Sequence, residues 1–121
     1  MNLTGAILVG ADLTDTAFFT THMQMVNLSG ADLTSKSFAG VDLSFANLSG
    51  TNLTQADLGN ANLWTANLTG ANLTGANLYE ANLMVANLTG ANLTGANWTK
   101  ANLYGANLTG ANLTDIVGSP R

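Results

Sequence analysis

The sequence predicts an all-β solenoid of square cross-section, with four five-residue repeats in each coil and nearly six coils. Three observations predict this fold class. A large apolar residue recurs at every fifth position from Leu3 to Leu113, which defines 23 repeats with Leu at 19 of the centres. Ala stands two residues before most centres, and Asn or Asp stands one residue before them. Departures from the pattern recur at multiples of twenty residues, which indicates four repeats per coil.

A period of five residues excludes both regular backbone structures. On an α-helix, each step of five residues moves the apolar side chain by about 140° around the axis, which spreads the apolar residues over the whole surface. On a continuous strand, the same odd step places successive apolar side chains on opposite faces. The chain therefore bends once in every repeat, with Asn, Asp and Gly forming the corner. The central residue and the preceding Ala then point inward together.

Unusual residues indicate how many repeats close one coil. Phe18, Phe38 and Trp98 replace the central Leu at separations of 20 and 60 residues, so a twenty-residue coil places them on one wall. Large apolar residues at outward positions follow the same spacing. Nine such residues occur at the two positions that follow a centre, and Val9, Phe19 and Tyr79 are the three that lie elsewhere. The other six share one face, which we call the apolar face: Met25, Phe45, Trp64, Met84, Val85 and Tyr104.

The N-terminal part of the repeat is irregular. Residues 16–26 keep the spacing but carry bulkier or atypical residues at several Ala and Asn positions, which predicts a local distortion. Lys36 occupies an inward Ala position, where an unpaired ammonium is unfavourable. We expect its amine to reach solvent, with a well-paired buried lysine as the alternative. Residues 1–115 are predicted to form a single solenoid domain, and residues 116–121 a non-repeat tail.

The motif A(N/D)LXX resembles the pentapeptide repeat family over residues 2 to about 115. The ANLTG form of the repeat is similar to cyanobacterial members of that family. The resemblance implies a right-handed quadrilateral β-helix, and the handedness comes from the resemblance alone.

The composition excludes most catalytic and metal chemistry. The chain has no cysteine and a single histidine, His22, which rules out disulfides, thiolate sites and histidine clusters. His22 occupies an Asn-type position and is predicted to be a surface turn residue. Three basic residues and a formal net charge of −4 do not suit a nucleic-acid binder. We expect no enzyme activity, no catalytic residues, no cofactor and no metal site.

Four carboxylates are predicted to lie on one face. They are Asp12, Asp15, Asp32 and, far along the same face, Asp115. Asp12 and Asp32 are expected to stack one coil apart, close enough to shift a pKa or to hold a cation weakly. Asp at the Asn position also forms the same turn, and this structural role is the favoured interpretation.

The polar residues of the repeat also limit the location of the chain. A transmembrane helix needs about 20 largely apolar residues in a row, whereas Asn, Thr or Gly interrupts this sequence every few positions. No leader with a charged, an apolar and a small-residue region opens the chain. The sequence therefore predicts a cytoplasmic protein without membrane contact.

Three functional hypotheses remain. The first is a scaffold or regulatory module that binds an unidentified protein through the apolar face, although these side chains could simply shield neighbouring backbone. The second is a DNA mimic that binds a type II topoisomerase, as some members of the resembled family do. That role requires long rows of acidic residues, and this chain has seven in all.

The third hypothesis is ice binding through a column of six threonines: Thr14, Thr34, Thr54, Thr74, Thr94 and Thr114. The column beside it is interrupted by other residues.

A further expectation concerns assembly. Both ends of the solenoid lack an obvious cap, so an end-to-end homodimer is an open alternative.

Overall fold

The computed structural model describes residues 1–18 and 22–121 of the chain. Residues 19–21, which include the outward Phe19 and the centre of the segment predicted to be distorted, lie outside the described residues. Most described repeats consist of one β-bridge residue, a central residue, a two-residue turn and a linking residue. No described residue is helical.

Parallel β-bridges join residues that are twenty positions apart, so four repeats complete one coil. The bridges form four columns, which we number as faces. Face 1 contains Asn2, His22, Asp42, Asn62, Asn82 and Asn102, and face 2 contains Ile7, Asn27, Asn47, Asn67, Asn87 and Asn107. Face 3 contains Asp32, Asn52, Asn72, Asn92 and Asn112, and face 4 contains Ser37, Asp57, Asn77, Asn97 and Val117. The total number of coils stays a prediction.

Two hydrogen bonds form the corner of each regular repeat, as residues 52–56 illustrate. The Ala56 N–H donates to the Leu53 carbonyl at 3.0 Å, and the Thr54 N–H donates to Asn52 Oδ1 at 3.1 Å. Gln55, the second turn residue, has a φ of 59°. Thr54, the first turn residue, has no positive φ, and this combination is that of a type II turn. Asn is therefore favoured before the centre because its side chain accepts the turn N–H, and Gly is favoured two residues after it.

Backbone hydrogen bonds join each coil to the next. The Leu53 N–H donates to the Asn72 carbonyl at 2.7 Å, and the Gln55 N–H donates to the Thr74 carbonyl at 2.9 Å. In the opposite direction, the Asn72 N–H donates to the Thr51 carbonyl at 2.9 Å. These bonds satisfy the backbone of the coil interior without any helix or long strand.

The core consists of the central residues and the Ala residues between them. Every central residue from Met23 to Leu93 is at most 1% exposed. The rings of Phe18 and Phe38 stack with their centroids 4.9 Å apart, so these two residues lie on one wall, as predicted. The twenty-residue coil places Trp98 in the same column, where its indole N–H donates to the Gly118 carbonyl at 3.2 Å.

The backbone after residue 116 also bonds to the coil beneath it. The Trp98 N–H donates to the Val117 carbonyl at 3.1 Å, and the Lys100 N–H donates to the Ser119 carbonyl at 2.9 Å. The Arg121 N–H donates to the Ala101 carbonyl at 2.8 Å. Residues 117–121 therefore follow the solenoid, and their separation from the domain as a non-repeat tail stays a prediction.

Among the described residues, the interrupted pairing begins before the predicted segment 16–26 and overlaps it at residues 16–18. Among the described residues, the bridge columns of faces 1 and 2 begin in the first coil, whereas those of faces 3 and 4 begin at Asp32 and Ser37. Residues 22–26 are regular, since the Met23 N–H donates to the Asp42 carbonyl at 2.9 Å and both Met23 and Val26 are buried. Apolar side chains fit the interior even when they are larger than Ala. The distortion therefore affects residues 11–18.

Candidate protein-binding face

The six residues of the predicted apolar face lie on face 1, at the two turn positions of its repeats. Trp64, Met84 and Tyr104 occupy the first turn position, and Met25, Phe45 and Val85 occupy the second. Adjacent coils lie about 4.8 Å apart, so the strip extends about 19 Å from Met25 to Tyr104. The fold therefore brings all six predicted residues to one face in consecutive coils.

These side chains are accessible to a partner. The exposed fraction ranges from 40% for Trp64 to 78% for Tyr104, and Met84 is half-buried. Phe45 and Trp64 are in contact, with ring centroids 5.0 Å apart and an interplanar angle of 68°. Edge-to-face pairs of this kind contribute about 0.5–1.5 kcal/mol beyond the area they bury. The centre of the strip is thus a pre-ordered aromatic pair.

The second turn position places backbone strain on this face. Met25 and Phe45 have a φ of 59° and Val85 has a φ of 61°. This left-handed conformation costs about 1–2 kcal/mol for a residue with a Cβ atom, and it is least favourable for a β-branched residue such as Val. On face 2, the equivalent position is Gly in all six repeats: Gly10, Gly30, Gly50, Gly70, Gly90 and Gly110. Polar residues adopt the same conformation on the other walls, as at Ser35 and Gln55 on face 3 and Lys100 on face 4. Face 1 is therefore distinguished by the large apolar side chains at this position and not by the strain itself.

A row of polar side chains runs beside the apolar face. Thr4 Oγ1 donates to Gln24 Oε1 at 3.1 Å, and Gln24 Nε2 donates to Asp42 Oδ2 at 2.9 Å. Asn62 Nδ2 donates to Asp42 Oδ1 at 3.2 Å, and the Asn82 amide continues the row by donating to Asn62 Oδ1 at 3.1 Å. These bonds hold successive coils in register. A rigid surface loses little conformational entropy when it binds.

The threonine column lies on face 3, and its hydroxyl groups are already engaged. Five of the six donate at 2.6 Å to the Asp or Asn Oδ1 of their own repeat: Thr34, Thr54, Thr74, Thr94 and Thr114. The column therefore presents methyl groups and acceptor oxygens to solvent rather than free hydroxyl donors. No observation in the structure favours ice binding.

The carboxylates of face 3 line an open cleft of about 420 Å³ beside the first coil. Asp12, Asp15, Asp32 and Lys36 are its charged residues. No β-bridge joins residues 12 and 32, although both carboxylates line this cleft. Their stacking one coil apart stays a prediction. The pKa of Asp12 is lowered, first because the Thr14 hydroxyl and N–H donate to it and then because Lys36 attracts its negative charge. The Thr34 hydroxyl and N–H and the Lys36 charge lower the pKa of Asp32 in the same way.

Lys36 is half-buried and lines the open cleft, where its Nζ donates to the Thr16 carbonyl at 3.5 Å. Whether its amine reaches solvent stays a prediction. His22 is exposed, as predicted, and pairs through its backbone with Asn2 and Asp42. Among the described residues, no three His, Cys, Asp or Glu side chains are placed to hold a metal ion. The same residues include no helix of the length and apolarity that a membrane span requires.

The repeat pattern matches a family model. The model for pentapeptide repeats matches in eight copies, over residues 2–34, 37–64, 46–84 and 86–116. The chain belongs to the pentapeptide repeat family. Proteins of this family fold as right-handed quadrilateral β-helices, which agrees with the four bridge columns. Members are generally structural or binding modules.

Solved structures of pentapeptide repeat proteins resemble the chain. Rfr23 from the cyanobacterium Cyanothece 51142 is 40% identical, with a TM-score of 0.65 over 81% of this chain and 64% of that protein. The chain thus spans less than two thirds of the length of Rfr23. HetL, involved in heterocyst differentiation regulation in the cyanobacterium Nostoc sp. strain PCC 7120, is 31% identical, with a TM-score of 0.39 over 96% of this chain and 69% of HetL.

A third structure is QnrB1, a plasmid-mediated fluoroquinolone resistance protein. It is 18% identical, with a TM-score of 0.44 over 98% of this chain and 73% of QnrB1. No curated protein matches the chain. The predicted family and its similarity to cyanobacterial members are confirmed.

Proposed function

We propose that this pentapeptide repeat protein is a non-enzymatic, cytoplasmic binding module that docks a partner protein on its apolar face. The observation that carries the proposal is the continuous strip of exposed apolar side chains on face 1, with the Phe45–Trp64 pair at its centre. Met25, Phe45 and Val85 hold apolar side chains in solvent at a turn position where Gly would be the less strained residue. Exposed Trp, Tyr and Met side chains are frequent in protein interfaces.

In the alternative role, these side chains merely shield the neighbouring backbone, but the backbone does not require such shielding. The Val85 N–H donates to the Tyr104 carbonyl at 2.9 Å, and the Phe45 N–H donates to the Trp64 carbonyl at 2.9 Å. On face 2, the Gly50 and Gly70 N–H groups form the equivalent bonds at the same distance, 2.9 Å. A Gly turn thus forms this bond equally well, so the large side chains of face 1 need another explanation.

The first experiment captures partners from the native lysate with matched variants. The double variant Trp64→Ala/Tyr104→Ala removes the two largest exposed rings of the apolar face. Tyr79→Ala is the control, because it removes an outward ring from face 4. We expect one partner to bind the wild type and the control and to be lost from the double variant. The same partner bound by all three proteins would overturn the proposal.

A second experiment reports on the face directly. Trp98→Phe leaves Trp64 as the sole tryptophan of the chain. Binding of the captured partner should then shift the emission of Trp64 to shorter wavelength, because docking removes water from its ring. An unchanged emission at saturating partner would place the interface elsewhere.

End-to-end dimerisation stays a separate prediction. The central residues of the last coil, Leu103 and Leu108, are only half-buried, unlike those in the middle of the solenoid. A second copy stacked on this coil would cover them. Light scattering over a range of concentrations measures the molar mass, and the mass of a single chain throughout would contradict the dimer.

A further inference from the structure

The backbone of residues 11–18, which we call the strap, forms no bridge to the second coil on faces 3 and 4, although the Phe18 ring at its end stacks on Phe38. One coil later the pairing is complete, because the Leu33 and Ser35 N–H groups donate to the Asn52 and Thr54 carbonyls at 2.8 and 2.9 Å. The equivalent donors of the strap are Leu13 and Asp15. Within the described part of the chain, neither donates to a backbone carbonyl of the second coil. The cleft occupies the resulting gap.

At the end of this gap, the Lys36 side chain takes the place of a backbone N–H. In regular repeats, each linking residue accepts from the backbone N–H found 21 positions later, as Ala56 does from Asn77 at 2.9 Å. By this rule the Thr16 carbonyl should accept from the Ser37 N–H. It accepts instead from the Nζ of Lys36 at 3.5 Å. The lysine side chain has therefore replaced a bond of the ladder.

The surroundings of Lys36 favour this arrangement. Its side chain occupies an inward position that is Ala one, two and three coils later, at Ala56, Ala76 and Ala96. A lysine stem is too long for that narrow interior, and burial of its ammonium there is unfavourable. The cleft offers the carboxylates of Asp12 and Asp32, together with the Thr16 carbonyl, on the side where the strap has separated. The Nζ contacts the Thr16 carbonyl of the strap, and its charge attracts the Asp12 and Asp32 carboxylates across the cleft.

We propose that Lys36 is a strut that holds the strap open, and that the strap closes onto the second coil when the strut is removed. Faces 1 and 2 act as the hinge, because backbone hydrogen bonds and β-bridges join the first coil to the second there. The Leu3 N–H donates to the His22 carbonyl at 2.7 Å, and the Leu8 N–H donates to the Asn27 carbonyl at 2.9 Å. Closure would form the missing backbone bonds of Leu13, Asp15 and Asp32 and would eliminate the cleft.

Hydrogen exchange of the full chain, followed residue by residue by NMR, tests the strut. The test variant is Lys36→Ala, which restores the usual inward residue. Lys36→Arg keeps a long cationic donor, and Lys100→Ala removes the same charge from face 4. In Lys36→Ala, we expect the Leu13, Asp15 and Asp32 amides to exchange about tenfold more slowly, since each gains one backbone hydrogen bond. Lys36→Arg and Lys100→Ala should exchange as the wild type does.

Two results would overturn the strut. The first is rapid exchange of the three amides in Lys36→Ala, which would show that the strap stays open without the lysine. The second is an equal slowing in Lys100→Ala, which would show that net charge rather than Lys36 controls the strap. The Leu33, Ser35 and Asn52 amides provide an internal reference, because they are already paired and should not change in any variant.

Discussion

Val85 has a φ of 61° and is 51% exposed, so its backbone is strained although its side chain is only partly packed. We predict that Val85→Gly raises the free energy of unfolding by about 1 kcal/mol. Relief of left-handed strain, about 1–2 kcal/mol, outweighs the entropy that Gly adds to the unfolded chain, about 0.5–1 kcal/mol. Urea denaturation measures the change. A loss of stability would show that the contact between Val85 and the neighbouring Gly105 repeat matters more than the strain.

Partner binding should change in the opposite direction. If the strain at Val85 serves docking, Val85→Gly is both more stable and a weaker binder, a combination that is typical of functional positions. Gly70→Ala is the matched converse on face 2. Its Cβ atom would meet nothing within 4 Å at a φ of 66°, so it should lose about 1 kcal/mol from strain alone and bind the partner normally.

The Thr34 hydroxyl controls the charge of Asp32. It donates to Asp32 Oδ1 at 2.6 Å, and this bond is the main reason that the pKa of Asp32 is lowered. A carboxyl with a lowered pKa stabilises the fold above its ordinary value of 3.8, and this stabilisation is lost as pH falls through the lowered pKa. Thr34→Val should move the pKa of Asp32 up toward 3.8. An NMR titration of the Asp32 carboxyl carbon measures it, with Asp12 as the unchanged reference.

At the scale of the single repeat, the Asn side chain has two separable tasks. Asn77 Oδ1 accepts from the Tyr79 N–H at 3.0 Å, which forms the turn, and Asn77 Nδ2 donates to Asp57 Oδ1 at 2.9 Å, which joins two coils. We predict that Asn77→Ala lowers the free energy of unfolding by about 2 kcal/mol, since each bond contributes about 0.5–1.5 kcal/mol. Urea unfolding measures the loss.

Asn77→Asp separates the two tasks. It keeps the turn acceptor but places a second carboxylate beside Asp57, with no donor between them. The destabilisation should be largest at neutral pH and should shrink as pH falls through the carboxyl range, because the repulsion needs both groups ionised. A loss that does not vary with pH would show that the missing donor, and not the charge, is responsible.

The repeat unit could be predicted from sequence, whereas its exceptions could not. Asn52 and the apolar Leu53 specify the corner and the core, because turn chemistry and burial act locally and repeat at each step. The strap escaped prediction because Lys36 was considered as a single inward residue. The effect of Lys36 depends on Thr16, one coil earlier, because its Nζ donates to the Thr16 carbonyl. The positive φ of the second turn position, as at Val85, was also missed, although the recurrence of Gly at this position, as at Gly90 and Gly110, would have indicated it.

At the scale of the whole molecule, the solenoid is quasi-one-dimensional, so each repeat depends mainly on its neighbours in adjacent coils. Removal of any one repeat keeps the five-residue pattern but rotates everything after it by one face. Deletion of residues 51–55 would therefore leave Met25 and Phe45 on face 1 and move Trp64, Met84 and Tyr104 to another wall. The side chains of the apolar face would all be present, but the strip would be divided.

We predict that this deletion folds and loses the partner. Repeats on all four faces share the same corner and the same inward residues, so circular dichroism and cooperative urea unfolding should resemble those of the wild type. Deletion of residues 106–110 is the matched control, because it removes one repeat after the apolar face and leaves the strip continuous. Capture of the partner by the control but not by Δ51–55 would show that alignment of the six side chains on one wall, rather than their presence in the chain, creates the binding surface. Equal capture of the partner by both deletion variants would show that the partner binds individual repeats, and the proposed interface would be wrong.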